Sequence, residues 1–293
     1  MALIPPFFID CVVAIGERDQ KKDVRWMATG FLYGYYLMTE SEQKERKLYR
    51  TYLVTNRHVL DGLKRVMIRF NPKSGEPAKE LGLNLVDGEG SPIWSTSPDP
   101  EVDIAVVPLN FKRLEERGLQ VSVFQSDVHA APVKKLVEIG ASEGDFVYVL
   151  GFPMGIVGGE RSLVIVRGGT IARIRDTLDN ASRLLLVDAS IFPGNSGGPV
   201  VSKPETVAIE GTKEQDRAYL IGIVRSYQPY IDIAFSQQTR RPRVVFEENS
   251  DLAEVHTVDC IDDAVKEHMK TLGTVEAEAT KDTSAKPSEK GEP

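Results

Sequence analysis

The sequence predicts an all-β fold, a barrel or a sandwich, on three observations. Short apolar runs recur up to about Val258, each bounded by Gly, Pro, Asn or Asp, as strands joined by turns would be. Sustained helical periodicity is missing until the end of the chain. The 293 residues, 41% hydrophobic and 27% charged, are enough to bury a sizeable core in one large domain or two smaller ones.

The expected strands of the first part are residues 9–15, 30–37, 52–55, 66–70 and 103–108. Residues 111–118 read as a short helix joining two halves. The second part supplies strands at 146–150, 162–167, 170–174, 184–188 and 218–224, then an extended stretch at 252–258. From residue 259 the pattern changes: Ile261, Ala264, Val265 and Met269 fall at helical spacing, which predicts a helix over 259–273. Residues 274–293 are rich in Ala, Glu, Lys, Thr, Ser and Pro, with one valine as the only large apolar residue. Such a segment cannot offset the entropy of ordering, so a disordered tail is expected there. The chain thus divides at 1–118, 119–258, 259–273 and 274–293.

Composition narrows the partners. A net charge of −7 counts against nucleic acid, since duplex binding usually needs a basic face. Cys11 and Cys260 are too few for a disulfide framework; two buried, reduced thiols are expected, and no metal site. The start of the chain has no basic region, and Asp10 and Glu17 interrupt its apolar stretch, so no secretory signal is read there. No segment approaches the ~20 apolar residues of a membrane-spanning helix. A cytoplasmic location without membrane contact is the expectation, and the oligomeric state stays open.

Three segments carry chemistry: Thr55-Asn56-Arg57-His58-Val59, Asp103-Ile104-Ala105-Val106 and Pro193-Gly194-Asn195-Ser196-Gly197-Gly198-Pro199. Each has a plain structural reading taken alone: a turn histidine, a strand-start cap and a Gly-rich hairpin turn. Taken together they offer a serine, a base to activate it and a carboxylate to orient the base. The other histidines, His129, His256 and His268, sit in no comparable motif. In this order and combination the segments resemble the trypsin-like (chymotrypsin-fold) serine peptidases, with most likeness to the bacterial HtrA-type protease domain. The resemblance runs from about Phe8 to His268. It implies two Greek-key antiparallel β-barrels with a short C-terminal helix, His58 as base, Asp103 as orienter and Ser196 as nucleophile. It also implies an oxyanion hole from the backbone N–H groups of Gly194 and Ser196. The activity implied is endopeptidase cleavage of a peptide or protein substrate, with no cofactor. No PDZ-like domain is expected after this part, unlike the HtrA pattern.

Other readings are open. Ser196 also fits the G-x-S-x-G elbow of α/β-hydrolases, but Gly197-Gly198-Pro199 is a poor helix start there. A catalytically silent peptide-binding module is the rival of a different class, and an esterase-like hydrolase is a third possibility. Asn195 stands where digestive relatives carry an Asp, so a freed N-terminus would have no counter-charge. Gly155-Ile156-Val157-Gly158-Gly159 looks like an activation terminus but reads better as a Gly-rich turn; ordering of the loops at 151–160 and 190–193 is the expected means of control. The resemblance implies a substrate pocket with Ser190 at its floor and Arg225, Ser226 and Tyr227 on its wall. Ser190 brings no charge, so neutral side chains are expected to be preferred, then acidic, then basic. Arg225 is read either as a surface arginine displaced by a one-residue shift, or as a cation that pairs with Asp103 or attracts an acidic side chain.

Overall fold

The computed structural model describes residues 4–20, 23–40, 46–206 and 210–284, with side chains through Leu272. The chain starts with a short helix, α1 (Pro6–Asp10), where a strand was expected from residue 9. Pro6 is pre-organised for the first helical position, and the turn buries Phe8. β1 (Val12–Arg18) follows, then β2 (Val24–Glu40) and β3 (Arg46–Thr55). The last two outrun the expected strands because their far ends leave the core, with Met38 54% exposed, and lose the one-sided apolar alternation. α2 (Arg57–Leu60), β4 (Arg65–Phe70), β5 (Lys79–Asn84), β6 (Ser95–Thr96), β7 (Ala105–Leu109), α3 (Phe111–Glu116) and β8 (Phe124–Gln125) complete this half.

These strands form one eight-stranded sheet in the order β5-β4-β1-β2-β3-β7-β6, with β8 parallel to β2. Its path stays open between β5 and β6, whereas a closed first barrel was expected. β6 has only two residues, and the stretch between β5 and β6 pairs only at an isolated antiparallel bridge, Val86 with Pro92, beside which the Ile93 N–H donates to the Leu85 carbonyl at 2.9 Å. β8 also keeps the chain on the first sheet beyond residue 118, the expected boundary.

The second half contains α4 (Val133–Ile139), β9 (Phe146–Gly151), a 3-10 turn at Pro153–Gly155, β10 (Ile165–Arg173), α5 (Arg175–Leu178), β11 (Leu184–Asp188) and β12 (Pro199–Ser202). It ends with β13 (Leu220–Phe235) and β14 (Pro242–Thr257). Six strands close a barrel in the order β10-β11-β14-β13-β12-β9. The two strands expected at 162–167 and 170–174 are one, β10. Its Gly168-Gly169 pair is no turn, since a Cβ at Gly169 would lie 2.4 Å from the Asp188 carbonyl of β11.

Each half has its own core, around Leu32, Leu53 and Ile68 in the sheet and around Val149, Leu185 and Ile221 in the barrel. A third core joins them, packing Phe8, Phe31 and Phe152 with Ile261 and Val265 of α6 (Val258–Ser284). α6 is longer than the expected 259–273 and is described through Ser284; residues 285–293 of the expected tail lie outside the described ones. The helix returns to the first sheet, where Tyr33 donates from its hydroxyl to Asp262 Oδ1 at 2.8 Å. Cys11 and Cys260 are buried free thiols.

Candidate active site

The cleft between sheet and barrel collects the three segments. His58 sits in α2, just after β3; Asp103 lies in the irregular segment before β7; Ser196 lies in the turn before β12. β3 and β7 are antiparallel neighbours, with Thr55 opposite Ala105. That register brings residues 45 apart in sequence side by side.

Asp103 Oδ2 is 2.5 Å from His58 Nδ1, and Oδ1 accepts the His58 backbone N–H at 3.0 Å. The Asp103 carbonyl accepts from Asn56 Nδ2 at 2.8 Å and from the Arg57 N–H at 3.4 Å. Asn56 is thus a strut for Asp103. Asp103 is 9% exposed, while the His58 side chain is 53% exposed and opens to the cleft. Burial pushes the Asp103 carboxyl up. Hydrogen bonds from the His58 ring and backbone, with the His58 and Arg57 charges, more than offset it and hold the pKa below the usual Asp value. An ionised carboxylate on Nδ1 leaves Nε2 to face the cleft as the basic nitrogen.

Around Ser196 the backbone is tightly determined. Gly194 has φ +101°, and a Cβ there would lie 2.4 Å from the Phe152 carbonyl; Gly197 has φ +82° with the Thr29 carbonyl 2.1 Å from its would-be Cβ. Only glycine fits at either place. The Pro193 carbonyl accepts the Met154 N–H at 2.6 Å, and the Asn195 carbonyl accepts the Gly198 N–H at 2.8 Å. In a trans peptide the N–H points opposite its carbonyl, so both bonds turn the Gly194 and Ser196 N–H groups the other way. Neither N–H has a hydrogen-bond partner among the described residues. The loops at 151–160 and 190–193 are therefore joined; where a Gly-rich turn was expected at 155–159, the 3-10 turn lies earlier, at Pro153–Gly155, because the Met154 N–H is drawn to the Pro193 carbonyl. Asn195 is fully buried; its Oδ1 accepts the Phe192 N–H at 3.0 Å and closes the loop locally.

A cavity of about 320 Å³ holds His58 and Ser196 together, walled by Ile191, Phe192, Val224 and Arg225. No hydrogen bond joins the two side chains in this state. Ser226 and Tyr227, read as pocket wall, line the cavity; Ser190, read as its floor, does not, whereas its neighbour Ile191 does. Arg225 does not pair with Asp103. Its partner is Glu254 at 3.5 Å, which also accepts from Ser226 Oγ at 2.8 Å. Glu247, on the outer part of β14, adds a carboxylate to the rim and accepts from the Tyr227 hydroxyl at 3.1 Å.

Three residues escaped the sequence reading. Thr29 of β2 donates to the Gly194 carbonyl (2.7 Å), accepts the Phe152 N–H (3.0 Å), and gives its own N–H to the Ser196 carbonyl (3.0 Å). Glu254 and His256 of β14 face this site while Ala253 and Val255 face the barrel core. A polar pair two residues apart, alternating with Ala253 and Val255 at the end of the strand, was the available signal.

With this geometry in view, the family model for the trypsin-like peptidase domain matches residues 28–209. A probable periplasmic serine endoprotease, DegP-like, of Pseudomonas putida (strain GB-1) is 25% identical over 225 residues, 71% of this chain and 38% of the relative. Serine protease Do-like HtrB of Bacillus subtilis (strain 168) is 26% identical over 164 residues, 52% of this chain and 28% of the relative. The chain therefore spans well under half the length of these relatives. Among solved structures, the MamO protease domain of Magnetospirillum magneticum aligns at 15% identity and TM-score 0.41, covering 84% of this chain and 94% of that one.

Proposed function

The chain belongs to the trypsin-like peptidase domain family, and we propose that it is a serine endopeptidase using His58, Asp103 and Ser196. One observation carries the proposal: the 2.5 Å His58–Asp103 contact opens onto the cavity that Ser196 lines. In this reading substrate brings Ser196 Oγ into reach of His58 Nε2, a contact commonly long in the free enzyme. Oγ attacks the scissile carbonyl as Nε2 takes its proton. Asp103 stabilises the imidazolium, and the Gly194 and Ser196 N–H groups receive the oxyanion. Each such donor is worth about 2.7–4 kcal/mol of transition-state stabilisation. The proton then passes to the leaving amine, and water repeats the sequence on the acyl-enzyme. No step calls on a metal or cofactor.

The substrate is a polypeptide whose neutral side chain fills the cavity between Ile191, Phe192 and Val224. Glu254 neutralises Arg225, which weakens its pull on an acidic side chain. A fluorophosphonate probe tests the chemistry: wild type is expected to be labelled, Ser196→Ala not at all, and His58→Ala only very slowly. Labelling that persists in folded Ser196→Ala would remove Ser196 as nucleophile. A wild type that takes up no label would leave a silent peptide-binding module.

A further inference from the structure

We propose that His256 is a positioning residue for Asp103: a neutral imidazole on the barrel that accepts the Asp103 backbone N–H and sets where the carboxylate meets His58. The proposal rests on the reading of His58 and Asp103 as catalytic. His256 lies on β14 between Leu184 of β11 and Ile223 of β13 and is 1% exposed. Its Nε2 is 3.0 Å from the Asp103 nitrogen. A backbone amide can only donate, so Nε2 must be unprotonated and the ring proton must sit on Nδ1. Nδ1 is buried with no partner at hydrogen-bond distance among the described residues, although the Arg183 carbonyl acts on the ring, so the close hydrogen bond of this imidazole is the one to Asp103.

The consequence follows from how Asp103 is held. Asn56 and Arg57, both from the sheet half, fix its carbonyl, and His58 engages its carboxylate. From the barrel half it is His256 that reaches it, across 153 residues of sequence. The barrel carries Ser196, so this contact couples the position of the orienting carboxylate to the half that holds the nucleophile.

The surroundings keep the imidazole neutral. Burial and the Arg225 guanidinium push its pKa down to about 4, against the opposing pull of Asp103, the Arg183 carbonyl and Glu254. Arg225 comes from β13, Glu254 from β14 itself, Arg183 from the approach to β11, and Cys260 of α6 lies close by, donating weakly to the Arg183 carbonyl. The Arg183 side chain is engaged by Asp99 and Asp263. An arginine in the wall of the catalytic cavity thus also disfavours the protonated form of His256, which could not accept the Asp103 N–H.

Proton NMR on a Ser196→Ala background, where no turnover occurs, reads the effect through the far-downfield resonance of the proton between His58 and Asp103. His256→Leu keeps bulk but no acceptor and is expected to shift or broaden that resonance; His256→Gln, whose amide oxygen accepts, is expected to restore it. With Ser196 present, His256→Leu should lower kcat about 10- to 100-fold, as small misplacements of catalytic groups do, with KM nearly unchanged, and Gln should recover most of the loss. An unmoved resonance in His256→Leu, or equal impairment of both variants, would overturn the proposal. If the Leu variant does not fold, nitrogen NMR of the wild-type imidazole decides: an unprotonated Nε2 coupled to the Asp103 amide is required, and a protonated Nε2 refutes it. A resonance that responds in a protein no fluorophosphonate labels would sink the peptidase reading while leaving the positioning role intact.

Discussion

Thr29 shows how much a single hydroxyl can organise. It sits in β2 with no solvent exposure, yet it bonds both loops that shape the candidate oxyanion hole. Thr55 Oγ in turn donates to the Thr29 carbonyl at 2.8 Å, so the arrangement is rooted in the same sheet that carries His58. Thr29→Val keeps the shape and removes the hydroxyl, leaving the Phe152 N–H without its acceptor. Stability is expected to fall by about 1–3 kcal/mol, the penalty for a buried unsatisfied group, measured by urea unfolding. The rate of fluorophosphonate labelling should fall further than that loss explains, because the Gly194 carbonyl is released too. Normal labelling in the folded variant would show that the loop holds itself. Sequence reading singled out His58, Asp103 and Ser196 because their neighbours along the chain are distinctive. It missed Thr29 and His256 because their partners lie 165 and 153 residues away.

At the scale of elements, legibility followed burial. The strands at 66–70 and 184–188 were read within a residue, since β11 alternates against a core and β4 is a short apolar run buried in one. The β13–β14 ribbon was read only at its buried base. Beyond it, Ile231, Ile233 and Phe235 on one strand and Val244, Val245 and Phe246 on the other are 40–61% exposed, so apolar residues there mark no core. The register pairs Ile231 with Glu247 and Ile233 with Val245, which sets these four side chains on one face. Glu247 lines the cavity of the candidate site, so that face begins there. An Asn-Gly turn in place of residues 232–246 can close the Ile231–Glu247 pair as a two-residue hairpin. Because the deleted residues bury little, the melting temperature is expected to stay within about 4 °C of wild type, while binding of an apolar dye falls. A collapse in melting temperature would mean that the ribbon is needed to fold the barrel.

Over the whole molecule, the two halves are tied at the cleft, through Thr29 and His256, at a seam where Asn71 and Ser162 exchange two hydrogen bonds, and at the back, where α6 lies on the first sheet. The helix was legible from its spacing, but its polar contacts with that sheet were not. Tyr33 and Tyr52 are both fully buried, and each directs its hydroxyl to α6: Tyr33 to Asp262, Tyr52 to His268 Nδ1 at 3.1 Å. Asp262 is the group this packing penalises. Burial raises its pKa from 3.8 to about 6, although the Tyr33 hydrogen bond and the Lys266 charge pull the other way. The sign follows from proton linkage. Below pH 3.8 the carboxyl is protonated in both folded and unfolded chains and carries no penalty. As pH rises toward 6 the unfolded chain ionises first, so the folded state loses stability, and above that the penalty is constant. A shift of this size, discounted for partial exposure, corresponds to about 2 kcal/mol. Asp262→Asn keeps an oxygen to accept from Tyr33 and removes the charge. The variant should match wild type near pH 4 and gain on it through pH 6, ending more stable at pH 7 by that amount in urea unfolding. A variant less stable than wild type at pH 7, or one whose advantage does not change with pH, would show that the ionised carboxylate strengthens the clasp.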